Sequence, residues 1–199
     1  MKPSQDALQR LKEGNQRYVA GSIDPAAWGA DRRQEANKAE SYPFAAVLGC
    51  ADSRVPVEVI LGQGIGDIFI VRTAGNRADN FGMASLELAA TLLKVPLIVV
   101  LGHTQCLAVK LALENPPLPG KVPLVVDRIR ASLIRLRNQA HILKPEELHE
   151  KAIVQNTRAS LEEITHHCPM VRKRMVAGDL QVVAAIYDLE SGRMNWLEH

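Results

Sequence analysis

The sequence is short of net charge, of cysteine and of long apolar runs, and each shortage removes a class of function. A formal net charge of +2 over 199 residues, with no Lys/Arg run of the kind that tracks phosphates, argues against a nucleic-acid partner. The start, Met1-Lys2-Pro3-Ser4-Gln5-Asp6, leads into an amphipathic segment and lacks the uninterrupted apolar stretch of a signal peptide or membrane span. The expectation is a cytoplasmic protein without membrane association. Three cysteines, an odd number with no secretion signal, do not form a disulfide framework and leave metal binding, catalysis or plain burial. No internal repeat or low-complexity segment is present. What remains is ordinary globular material: 47% hydrophobic and 23% charged residues are too apolar for a disordered chain, and the length suits one core.

The chain reads as a single domain over 1–199, with an N-terminal helical arm and linker (1–42) and an α/β core (43–196) that carries a helical excursion at 123–168. The final three residues, 197–199, resemble a tag scar. Leu8, Leu11, Tyr18 and Val19 share a helix face between Ser4, a suitable N-cap, and Gly21, a suitable stop. Residues 22–41 are polar, with Pro25 and Gly29, and form a linker with room for one short solvated helix. Apolar runs at 44–48, 68–71, 97–101 and 182–186 have the character of strands buried on both faces of a parallel sheet. Helix-like segments near 57–61, 83–94 and 107–114 alternate with them, so the crossovers are right-handed and the class is α/β. The prolines between Asn115 and Pro123 interrupt the chain, and helices resume over 124–143 and 146–166. The turn-rich stretch 188–192 leads into 193–197, predicting a closing antiparallel hairpin and a strand order 2-1-3-4 with an antiparallel edge.

Cys50 directly follows the first apolar run, His103 follows the third, and Cys106 stands three residues further on. In an open α/β sheet, ligands gather outside the carboxyl ends of strands where the strand order reverses, so residues far apart in sequence converge there. Two thiolates and an imidazole are a ligand set that zinc favours, and three protein ligands leave a fourth position for water or substrate. Cys106 falls in the first turn of a helix, where free amides and the macrodipole favour a thiolate. Asp52 and Arg54 are placed to form a carboxylate–guanidinium pair that keeps the acid ionised and able to accept a proton. Taken singly, a buried Cys is usually a core residue, a lone His a satisfied polar group and an Asp–Arg pair a surface contact. Their joint placement at strand ends favours zinc, although spacing does not separate a structural from a catalytic ion.

Three segments, Cys50-Ala-Asp-Ser-Arg54, Asp67-Ile-Phe-Ile-Val-Arg-Thr-Ala-Gly-Asn76 and Gly102-His-Thr-Gln-Cys106, resemble in content and order the signatures of beta-class carbonic anhydrases, and the similarity runs over nearly the whole chain. The resemblance implies Cys50, His103 and Cys106 as zinc ligands and Asp52 with Arg54 as the catalytic dyad, with Asp52 also able to take the fourth zinc position. It implies reversible hydration of carbon dioxide to bicarbonate and a proton by zinc-bound hydroxide. It also implies a homodimer or higher homo-oligomer in which the N-terminal helix embraces the partner and both subunits line each pocket. Arg72, Gly75 and Asn76 match a segment near the active site, but an ion pair and a tight turn account for them equally well. Val47 stands where relatives inhibited by bicarbonate at a second site carry Trp, so no such regulatory site is expected. Cys168 is read as structural, and His141, His149, His166 and His167 as solvated. Three positions depart from the family pattern: Ser41 in place of Gln, Gly62 in place of a frequent acidic residue, and Leu107 in place of Gly. Two other readings therefore stay open, a carbon disulfide or carbonyl sulfide hydrolase on the same scaffold and a catalytically impaired, zinc-stabilised structural homologue.

Overall fold

The computed structural model describes residues 2–38, 43–137 and 142–198. Five strands, β1 (Ala45–Cys50), β2 (Ile68–Thr73), β3 (Leu97–His103), β4 (Gln181–Tyr187) and β5 (Met194–Leu197), form one sheet in the order β2-β1-β3-β4-β5. The first four are parallel, and β5 pairs antiparallel with β4. Every residue of β1 and β3 is buried, because helices cover both faces and each strand alternates between two cores. Val47, Val99 and Leu101 meet Leu11 of α1 (Pro3–Val19) and Ile60 of α3 (Val57–Ile60) on one face. Ala46, Leu48 and Val100 meet Leu86 of α4 (Asn80–Thr91), Ile164 of α8 (Pro145–His167) and Val171 of α9 (Pro169–Val176) on the other. A third cluster lies beyond the carboxyl ends of the strands, where α5 (Leu107–Glu114), α6 (Val122–Ser132) and α8 surround Cys50 and Cys106. The polar linker contributes a short 3-10 turn, Pro25–Trp28, and α2 (Ala30–Lys38), which buries no residue. No helix among the described residues is long and apolar enough to cross a membrane.

The local departures have physical causes. Ser4 does not cap α1: the helix already begins at Pro3, whose missing amide is harmless in a first turn, with Lys2 as the capping residue. Gly21 does follow the helix with φ +66°. Pro123 sits in the first turn of α6 instead of breaking it. The helix expected over 124–143 stops at Leu133, whose amide closes a tighter bond to Arg130 O, and α7 (Ile134–Arg137) follows; residues 138–141 lie outside those described. The sequence reading missed α9, which Pro169 opens directly after α8 ends at Cys168.

Candidate metal centre and active site

β1 and β3 are neighbours in the sheet and end in Cys50 and His103 respectively, and a short turn after β3 returns Cys106 to the same point. The two sulfurs and one imidazole nitrogen lie within 4.8 Å of one another, all three residues buried. His103 is fully enclosed, and its Nδ1 donates to Thr104 O at 2.8 Å. That bond leaves the Nε2 lone pair facing the sulfurs. Nε2 has no hydrogen-bond partner among the described residues and lies 4.0 Å from Asp52 Oδ2. A buried polar atom without a partner, beside two thiols, fits a position that binds a metal ion.

Cys106 is the residue before α5, and the amides of Val109 and Ala108 favour its thiolate, as expected of a helix start. Its sulfur is hydrogen-bonded to that of Cys50, and this bond foremost, with His103 and the Asp52 amide and against burial, holds the first ionisation of the pair low. The Gly75 amide also donates to Cys50 Sγ at 3.3 Å.

Asp52 and Arg54 form the clamp that their spacing predicts. Arg54 Nε donates to Oδ1 at 3.0 Å, Nη2 to Oδ2 at 2.7 Å and the Arg54 amide to Oδ1 at 2.9 Å. These bonds, the side-chain ones foremost, hold the Asp52 carboxyl well below the usual carboxylate range. Arg54 Nη2 also reaches Gln105 O at 3.3 Å, tying the loop after β1 to the loop after β3. Arg72, whose role the sequence left open, donates Nε to Cys50 O at 2.9 Å and Nη2 to Asp52 O at 2.6 Å, so it straps the loop that presents both residues.

A cavity of about 340 Å³ opens over Cys50, Asp52 and Cys106, walled by Ala74, Leu107, Leu111, Val122, Val125 and Val126. A second cavity of about 820 Å³, lined by Arg54, Lys110, Glu114 and His149, lies on the other side of Leu107. Leu107, 61% exposed, therefore forms the partition between an apolar and a charged chamber. His149 is half-buried, with Nε2 3.3 Å from Cys106 O, instead of solvated as expected; His166 and His167 are exposed. Ser41 and His141 lie outside the described residues. Gly62 has a plain reason to be glycine: φ is +57°, and a Cβ would stand 2.6 Å from Gly14 O of α1. Cys168 is buried away from the cluster, and burial pushes its thiol up to about 11.

Comparison with known proteins identifies the family. Residues 45–194 match a family model described as carbonic anhydrase. A carbonic anhydrase of Mycolicibacterium smegmatis is 38% identical over 197 residues, covering 97% of this chain and 93% of the relative. Carbonic anhydrase 2 of Mycobacterium tuberculosis is 38% identical over 201 residues, covering 97% and 92%. Among solved structures, the beta-carbonic anhydrase CcaA superposes with a TM-score of 0.77 at 29% identity over 96% of this chain and 95% of that one. With sequence and fold matched over almost its full length, the chain belongs to the beta-class carbonic anhydrase family.

Proposed function

We propose that this protein catalyses the reversible hydration of carbon dioxide to bicarbonate and a proton, with zinc held by Cys50, His103 and Cys106 and with Asp52 and Arg54 managing the reacting water. The carrying observation is the buried triad within 4.8 Å, its imidazole nitrogen unpaired, at the floor of an apolar cavity. The donor set suits zinc, and zinc–ligand bonds of about 2.0 to 2.3 Å span a triangle of that size. Bound there, zinc would supply a Lewis acid that makes water nucleophilic near neutral pH.

The chain's own residues do the rest. Asp52, kept ionised by Arg54, faces the ligand cluster through Oδ2 and accepts a hydrogen bond from the reacting water, turning its lone pair toward the cavity. Ala74, Leu111, Val125 and Val126 give an uncharged, poorly hydrated substrate an apolar place beside it. Arg72 keeps the Cys50 and Asp52 carbonyls fixed, so the acid does not drift from the metal position. Homo-oligomerisation belongs to the same proposal. Its support is the apolar surface at α4 and the residue that ends it, with Phe81 86% and Leu92 70% exposed, beside β2, which stands at the open edge of the sheet.

Leu107 favours one second reading, a carbon disulfide or carbonyl sulfide hydrolase, because it walls the cavity beside Cys106 without itself being a candidate ligand. The complete Asp52–Arg54 clamp speaks against an impaired homologue. Zinc content, stopped-flow carbon dioxide hydration and a sulfide-release assay with carbon disulfide, run on the wild type, Asp52→Ala and Leu107→Gly, separate the readings. Stoichiometric zinc with hydration lost in Asp52→Ala is expected. Zinc without hydration in the wild type refutes the first reading, and sulfide release then selects the second.

A further inference from the structure

The sequence places α8 in a helical excursion apart from the strand ends, yet one face of this helix runs along the supports of all three candidate ligands. His149 Nε2 lies 3.3 Å from Cys106 O. Thr157 lies against Gly102, the residue before His103, so closely that a Cβ there would stand 2.2 Å from Thr157 Oγ1. Asn156 Nδ2 donates to Gly75 O at 2.8 Å, and the Gly75 amide donates to Cys50 Sγ at 3.3 Å. Positions 149, 156 and 157 recur at helical spacing and share a face.

Of these contacts, the one through Asn156 reaches a ligand atom by way of a single residue. Gly75 and Asn76 are consecutive left-handed residues, with φ 65° and 46°, and a non-glycine there needs outside support. Asn156 is fully buried and grips both, since its amide also reaches Asn76 Oδ1 at 3.4 Å. A hydrogen bond to a thiolate withdraws charge from the sulfur, and groups that orient a ligand tune how firmly it holds metal.

The geometry points to Asn156 as a positioning residue for the metal centre: its side-chain amide fixes the Gly75–Asn76 turn, which keeps the Gly75 amide on the Cys50 sulfur and sets how tightly Cys50 holds a metal. This rests on the zinc reading of the triad, and the experiment separates the two. Cobalt-substituted wild type, Asn156→Leu, Asn156→Ala and Ile164→Val are compared by the sulfur-to-cobalt charge-transfer band and by the rate of metal release to a chelator. Ile164 is buried on α8 in a different core cluster and controls for general loosening. Both Asn156 variants are expected to shift the band and release metal about 10- to 100-fold faster, while Ile164→Val melts earlier with band and release unchanged. An Asn156 variant that folds with the wild-type band and release rate overturns the proposal, as does an equal shift in Ile164→Val. If Asn156→Leu does not fold, Asn156→Ala, smaller and lacking the donor, decides it. A wild type that takes up no cobalt or zinc overturns the zinc reading itself, and this proposal with it.

Discussion

The loop after β1 and the loop after β3 deliver the same kind of candidate ligand to the same point by different means. The first is held mainly by side-chain donors, Arg72 on two carbonyls and Arg54 on Asp52, with the Gly75 backbone amide on the Cys50 sulfur. The second, although Arg54 also reaches Gln105 O, is held mainly by backbone bonds and close contact. Thr104 N bonds Tyr187 O at 2.9 Å, Leu189 N bonds Thr104 Oγ1 at 2.9 Å, Gly102 lies against Thr157, and Cys106 runs directly into α5. The difference teaches where chemistry and stability reside. Substitutions on the β1 side should change the reaction while sparing the fold, and those on the β3 side should cost stability first.

The largest expected effect lies on the β1 side. Asp52→Ala should lower the hydration rate by about 10²- to 10⁴-fold, the range for a positioned proton acceptor, with a melting temperature close to that of the wild type. Stopped-flow assays beside thermal melts check both halves, and a large loss of stability would break the comparison. On the β3 side, Gly102→Ala should destabilise by about 1 to 3 kcal/mol through overpacking, read by urea unfolding. Adding Thr157→Ala should recover part of that loss, since Thr157 Oγ1 is the nearest atom to the new methyl group. Arg72→Lys keeps the charge but not the forked geometry that reaches two carbonyls. About tenfold faster zinc release to a chelator is expected, against a small change in melting. Cys168, outside both loops, is the reference with the smallest effect. With its thiol pushed up to about 11 by burial, the reactive thiolate forms only as pH climbs toward that value. A maleimide at pH 7.5 should therefore leave Cys168 of the native protein unlabelled and modify it once urea exposes it.

Local features were the legible ones. The strands could be read because β1 and β3 carry apolar residues on both faces, and the Cys50–His103–Cys106 cluster because its members sit where those runs end. Asp52 and Arg54 were readable because their partnership closes within one turn. The roles of α8 were hidden. Asn156, Thr157 and Ser160 are fully buried, whereas periodicity assigns polar positions on a helix to solvent; their partners, the Gly75 carbonyl and the bare backbone of Gly102, announce nothing in a hydropathy pattern. Arg72 was ambiguous for a related reason, since a guanidinium that binds backbone carbonyls has no opposite charge in the sequence to point to it. The contact between the two sulfurs could not be read, since Cys50 and Cys106 are 56 residues apart in the chain.

The contacts of α8 also set an order of events. All three candidate ligands exist once residue 106 has been made, but the groups that steady them, His149, Asn156 and Thr157, come roughly a quarter of the chain later. In a zinc finger the ion gathers ligands from an unfolded chain. Here the three candidate side chains are braced by a helix made after them, so the cluster has its full set of supports only when α8 has docked.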